Sequence, residues 1–247
     1  MNDEFYVGYA EEAPLGLNRF RGWVAAFLFG FGVVAASLLA IGLSPAEPGT
    51  FEFGVRKAFE GRILETPLPL LRTVSDDGVV RHHLLVGTGK HGLPAFARGH
   101  HGEWVRFEGS RIQAGRLAMI EMSSPESFRV LGGVPETRPE VRDVDLGEVL
   151  LEGELVDTKC WAGVMRPATG KVHRSCAVVC LRGGVPPGLL VRDAKGDGSV
   201  VLLTGREGRP LDLDPRLAAR RLGVAGRLFV LGEVPRMEVS RISLAGP

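Results

Sequence analysis

The alternation of hydrophobic and polar positions changes character twice along the chain. Over residues 22–43 the sequence GWVAAFLFGFGVVAASLLAIGL has no charged position. Beyond residue 50 short runs of β-branched and apolar residues alternate with glycine-rich turns, the pattern of short strands in a mainly β fold. Strands are expected at 81–86, 104–107, 117–121, 199–203, 223–230 and 237–242, with a short helix at 214–221. The stretch 171–181 breaks this rhythm: its apolar positions have helical spacing, and Gly183-Gly184 stops it.

The uncharged run is long for a buried helix. At 1.5 Å per residue it reaches roughly 33 Å, enough to cross a hydrocarbon core. A cleaved signal peptide or a buried core helix are the competing readings, but the residues that follow give a poor small-x-small cleavage context. Arg19 and Arg21 precede the run, and the first basic residue after it is Arg56. The positive-inside rule then places the tail 1–21 in the cytoplasm, the helix 22–43 in the inner membrane of a bacterium, and the rest in the periplasm.

The body repeats itself. Glu60-Gly61-Arg62-Ile63 and Thr66 match Glu152-Gly153-Glu154-Leu155 and Thr158, and Thr88-Gly89-Lys90-His91-Gly92 matches Thr204-Gly205-Arg206-Glu207-Gly208. Gly109 matches Gly226, and Ile120-Glu121-Met122-Ser123 matches Met237-Glu238-Val239-Ser240. The order is conserved throughout, as in a duplicated unit. The units run over 51–128 and 149–247, joined by a proline-containing, charged stretch 129–148 that reads as a linker. Strand number and spacing in each unit resemble an OB-type small β-barrel. The fold class is therefore mainly β: an N-terminal transmembrane helix, then two tandem OB-like barrels.

Composition narrows the partners. Thirty Lys and Arg balance 29 Asp and Glu, for a formal charge of +1, and aromatics are 7%. OB folds that bind single strands use basic grooves and stacking aromatics, so a nucleic acid is not expected. The lipid bilayer is, together with a membrane protein complex or redox partner. No nucleotide-binding loop, haem-attachment motif or nucleophile elbow occurs.

The repeat offset grows between its first and second matches, so the second unit carries an insertion over 159–184, DTKCWAGVMRPATGKVHRSCAVVCLRGG with its flank. All three cysteines, Cys160, Cys176 and Cys180, fall in it, with His173 three residues before Cys176. On a helix His173, Cys176 and Cys180 share one face, and Cys160, following a strand, closes over it. Three thiolates and an imidazole suit a soft metal, copper or zinc, or an iron–sulfur cluster; Met165 is a further soft donor. Lys159, Lys171 and Arg174 are candidate cations to favour thiolates. A structural disulfide and reduced buried cysteines are the alternatives, and a catalytic or thiol-exchange cysteine is a weaker one. The C-x3-C spacing of Cys176 and Cys180 resembles the copper-handling motifs of the dinuclear-copper oxidase subunit and of copper-delivery proteins. The whole chain resembles bacterial single-pass membrane-anchored proteins.

Five of the six histidines lie within twenty residues: His82, His83, His91, His100 and His101. On a strand His82 and His83 face opposite ways. The segment reads first as an exposed histidine-rich surface, and secondarily as a metal site if three imidazoles converge. The glycine-flanked Lys90-His91 turn is a place where backbone approaches a partner closely. The function expected is a periplasmic accessory protein of a respiratory, redox or metalloprotein system that binds a soft metal, rather than an enzyme. The alternative is a non-catalytic structural subunit stiffened by a disulfide.

Overall fold

A computed structural model describes residues 14–42, 49–74, 78–132, 143–209, 211–232 and 234–245. Contacts divide the chain into Met1–Ala46 and Glu47–Pro247. Most of the expected cytoplasmic tail, residues 1–13, lies outside the described residues.

In the first unit α1 spans Leu15–Gly42, starting before the uncharged run. None of it is buried, and Trp23, Phe27, Phe29 and Ile41 are each 70% exposed or more. The helix is long and apolar enough to cross a membrane, a property that anchors and signal sequences share.

The second unit contains both barrels. In the first, β1 (Thr50–Phe51), β2 (Lys57–Leu64), β3 (Leu70–Val74), β4 (Val80–Val86), β5 (Trp104–Ala114), β6 (Leu117–Met122) and β7 (Arg129–Leu131) form one sheet. It closes through β5–β2–β3–β4–β6–β5, with β4 and β6 parallel and β1 and β7 paired to β5. In the second, β8 (Val144–Asp157), β9 (Pro187–Arg192), β10 (Gly198–Thr204), β11 (Arg221–Leu231) and β12 (Val234–Leu244) close in the same order, with β10 and β12 parallel. Both are five-stranded OB-like barrels.

The repeat has a steric origin. A Cβ on Gly61 would lie 2.3 Å from the carbonyl oxygen of Arg72, and one on its counterpart Gly153 2.4 Å from that of Leu190. The second matched pair behaves alike: Gly109 would meet Glu121 O at 2.7 Å and Gly226 would meet Glu238 O at 2.2 Å. At each point a long strand bends across the barrel against its neighbour's backbone, and no side chain fits.

Each barrel has its own core, around Ile63, Leu71, Leu85, Val105 and Phe107 in the first and Leu155, Leu189, Leu222, Val224 and Met237 in the second. A third apolar cluster draws on both, bringing Leu84, Ile112 and Met119 together with Val156, Leu190 and Leu202. Burial of such surface contributes about 25 cal/mol per Å², so the barrels are joined by a core and not by a tether alone.

Two expectations are corrected. The helix at 214–221 is a single turn, Pro215–Leu217, because Arg221 already pairs with Glu154 as the first residue of β11. The joining stretch is shorter than 129–148: β7 takes its first residues, and β8 begins at Val144 by pairing with Val230. Val130, Val144 and Leu146 are exposed there, so no alternation of buried apolar and exposed polar positions marks these strand ends; residues 133–142 lie outside the described residues.

Candidate metal centre

The insertion leaves the second barrel between β8 and β9. β8 ends at Asp157, the chain turns through one wide helical turn at Cys160–Val164, and α2 runs Gly170–Arg182. Glu154 accepts the Gly170 N–H at 2.6 Å, satisfying an N-terminal donor of α2. The helix ends where Gly183 N–H donates to Val179 O (2.9 Å) and Gly184 takes φ +87°, the left-handed conformation that glycine favours. His173, Ala177 and Cys180 are buried along one face and Cys176 is half-buried at its edge, as the spacing predicts.

Cys160 closes over this face. Its Sγ lies 3.9 Å from that of Cys176 and 4.0 Å from that of Cys180, and all three sulfurs fall within 4.8 Å of one another. The cysteines are free. Cys160 and Cys180 are buried among Val185, Ala168 and Cys176. Cys160 and Cys180 share a hydrogen bond in which either sulfur can donate, and that bond, burial and the nearby Asp157 carboxylate push the Cys160 pKa up. The Cys180 pKa is pulled down chiefly by the same hydrogen bond, against burial and Asp157, with help from Cys176 and Lys90. Of these two thiols Cys180 is therefore the more readily ionised.

His173 is engaged differently. It is 4% exposed, and its Nε2 donates to Asp157 Oδ2 at 3.0 Å. Asp157, completely buried, also accepts the Cys160 N–H through Oδ1 at 2.8 Å. Asp157, Cys160 and His173 form a second set of donor atoms within 4.8 Å that overlaps the sulfur set at Cys160. Sequence reasoning missed Asp157. The signal was present in its position three residues before Cys160, where an aspartate caps the turn that carries the thiol. Either set has geometry that can hold a metal ion. Met165 ends the wide turn at 46% exposure, and its N–H donates to Cys160 O at 3.5 Å.

Two of the three cations expected near the thiols, Lys159 and Arg174, are engaged elsewhere. Lys159, 1% exposed, pairs with Glu121 of the first barrel and donates to Gly87 O and Gly89 O at 2.7 Å each. Arg174 donates to Arg216 O at 2.9 Å. The ammonium beside Cys176 belongs instead to Lys90, in the glycine-flanked turn of the first barrel, and its pKa is raised mainly by a hydrogen bond with Cys176.

The histidine-rich segment is an exposed surface only in part: His91 and His101 are exposed and His100 is half-buried, but His82 and His83 are not at the surface. His82 and His83 are 7% and 8% exposed, on opposite faces of β4. Burial, aided by Arg72, pushes the His82 pKa down to about 4. Burial, with Arg111 and Arg81, does the same to His83, also to about 4. His83 Nε2 lies 3.3 Å from the Thr73 hydroxyl. His100 Nδ1 pairs with Glu103 at 2.6 Å, and His101 Nδ1 accepts the Glu65 N–H at 3.0 Å. His91 is exposed in its turn. Among the described residues, neither set of donor atoms close enough to hold an ion includes a histidine of this segment.

No protein-family model matches the chain, and no curated protein does. Among solved structures, a deletion mutant of the single-stranded DNA binding protein from Thermus aquaticus is similar at 16% identity, covering 83% of this chain and 91% of that one. Its TM-score is 0.22, so the OB-like architecture rests on the strand pairing described above and not on this likeness.

Proposed function

We propose that the chain is a membrane-anchored periplasmic accessory protein of a respiratory, redox or metalloprotein system, and that it binds a soft metal ion, copper or zinc, through Cys160, Cys176 and Cys180. The supporting observation is the spacing of the sulfurs. Three thiolates around an ion at about 2.3 Å, with angles between trigonal and tetrahedral, stand roughly 3.8–4.0 Å apart. The two contacts of Cys160 are 3.9 and 4.0 Å.

His173 is the candidate fourth donor. A metal-binding histidine usually gives its other ring N–H to a carboxylate, which fixes the ring and raises its basicity, and Nε2 of His173 is so engaged by Asp157. A closed four-donor set would suit structural zinc, and a three-sulfur set exchangeable copper. Met165 stays a possible extra donor. The apolar α1 and the basic residues Arg19 and Arg21 near its start, before the uncharged run, support the anchor and its orientation. A membrane complex or redox partner is the expected recipient.

The test uses the full-length protein in detergent, purified under anaerobic, reducing conditions. Elemental analysis should give stoichiometric metal that Cys176→Ser removes and the double change His82→Ala, His83→Ala leaves in place. Protein from an oxidising compartment with two oxidised cysteines and no metal would instead establish the disulfide-stiffened structural subunit.

A further inference from the structure

The insertion is basic throughout. Residues 159–184 carry five Lys or Arg and no acid, in a chain whose formal charge is +1. A second face of α2, offset from the one that carries the thiols, borders a cavity of about 620 Å³. Arg174 and Val178 line it from α2, and Asp214, Arg216, Leu217 and Arg220 line it from the turn that leads into β11.

Both walls are held in place. Arg174 donates to Arg216 O at 2.9 Å, which ties the helix to the turn. The turn is tied in its own right to β8, where Ala219 N–H donates to Leu155 O at 2.8 Å and Leu155 N–H to Arg220 O at 3.1 Å. Ala219 takes φ +57° to do so, a left-handed conformation that residues other than glycine seldom adopt.

The charge in the cavity is unbalanced. Its one carboxylate, Asp214, is engaged by Arg216, which approaches both oxygens through Nε at 3.0 Å and pairs through a second nitrogen at 3.0 Å. Arg174 and Arg220 have no carboxylate partner among the described residues. Three guanidinium groups against one carboxylate leave a surplus of two positive charges, presented from opposite walls.

We propose that this cavity is an anion site for a phosphomonoester group, with Arg174 and Arg220 as its ligand-binding residues. A phosphomonoester carries close to two negative charges at neutral pH, which matches the surplus. Guanidinium forks fit phosphate oxygens, and walls already fixed need little ordering when the anion enters. The half-buried Val178 and Leu217 give the cavity apolar surface beside the cations. The site is separate from the thiol cluster and does not depend on a metal there. Its phosphate has two sources, a free solute or the headgroup of a lipid.

Isothermal titration calorimetry on the full-length protein in a nonionic detergent tests this with inorganic phosphate and with dihexanoylphosphatidic acid, using dihexanoylphosphatidylcholine as the control for the acyl chains. The Arg220 side chain makes no hydrogen bond among the described residues, so Arg220→Gln removes a cation and leaves the fold's bonds in place. It should weaken phosphate binding about tenfold, as for the loss of one charged hydrogen bond, with Arg220→Lys closer to wild type. Arg174→Gln should weaken it at least as much. Tighter binding of phosphatidic acid than of phosphate, lost in the same variants, assigns the site to a headgroup; equal binding assigns it to a free phosphate. Wild-type protein that binds neither probe, or binding that Arg220→Gln and Arg174→Gln leave unchanged, overturns the proposal.

Discussion

Lys159 and Glu121 form an ion pair across the two barrels: the lysine comes from the insertion of the second, the glutamate from β6 of the first. Lys159 is 1% exposed, and its remaining hydrogen bonds go to the turn that carries Lys90. One buried ammonium therefore links barrel docking to the position of its neighbour Cys160.

Removing that ammonium should be costly. Lys159→Met leaves the Glu121 carboxylate and two carbonyls unpaired in the interface. Loss of one partner of a buried pair costs about 3–5 kcal/mol. Replacing both partners, Lys159→Met with Glu121→Leu, should recover much of it, because no buried charge is then stranded. Urea denaturation of the three proteins measures this. A single variant as stable as wild type would show that the pair does not hold the barrels together.

Asp157 should matter more to the metal than its distance from the sulfurs suggests. Asp157→Asn keeps one oxygen for the Cys160 N–H but presents an amide N–H to His173 Nε2, where a carboxylate now accepts. The imidazole must change tautomer or turn away. Zinc affinity should fall about 10- to 100-fold, as for other groups that orient a ligand, with far-ultraviolet circular dichroism unchanged. Unaltered zinc affinity would remove His173 from the coordination set.

The barrels were legible in the sequence because glycine marks where strands cross too closely for a side chain. Gly61 and Gly153, and Gly109 and Gly226, carried the repeat for that steric reason. The helical face of His173, Cys176 and Cys180 was legible from its spacing, and Cys160 from its place after a strand. What the chain did not disclose is long-range. Asp157 is an unremarkable strand-end acid until His173 folds over it. Lys90 lies seventy residues from Cys160 in sequence, and only barrel docking brings it to Cys176. The histidine pair misled because two adjacent imidazoles on a strand look exposed unless both faces of that strand are covered, one by the first barrel's own core and the other near Gly232 of the second.

The docked turn gives a prediction on thiol access. Gly183→Ala places a methyl group 1.9 Å from Lys90 O, so the turn must move off α2. Cys176, the half-buried thiol of α2, should then react faster with a thiol reagent in the metal-free, reduced protein. Cys160 and Cys180 should stay protected until unfolding. The time course of labelling, read by mass spectrometry of peptides, separates these sites. Uniform acceleration at all three would mean that the substitution loosened the whole insertion.

His82 and His83 fix the sign of the acid response. Both have folded-state pKa values lowered by burial to about 4, against an unfolded value of about 6.5. Between these limits the unfolded chain binds more protons than the native one. Stability is therefore full above about pH 6.5 and declines as pH falls toward 4, by at most about 1.4 kcal/mol per pH unit for each histidine. Below about pH 4 both states are protonated and this contribution levels off. Denaturation midpoints from pH 7.5 to 4.5 should follow that slope in wild type, and the slope should flatten in His83→Phe, whose ring fits beside Phe59, 6.5 Å away. Carboxylates add acid sensitivity at lower pH, so the difference between wild type and the variant isolates the histidine. A variant that parallels wild type across the whole range would mean that His83 stays as easily protonated in the native barrel as in the unfolded chain.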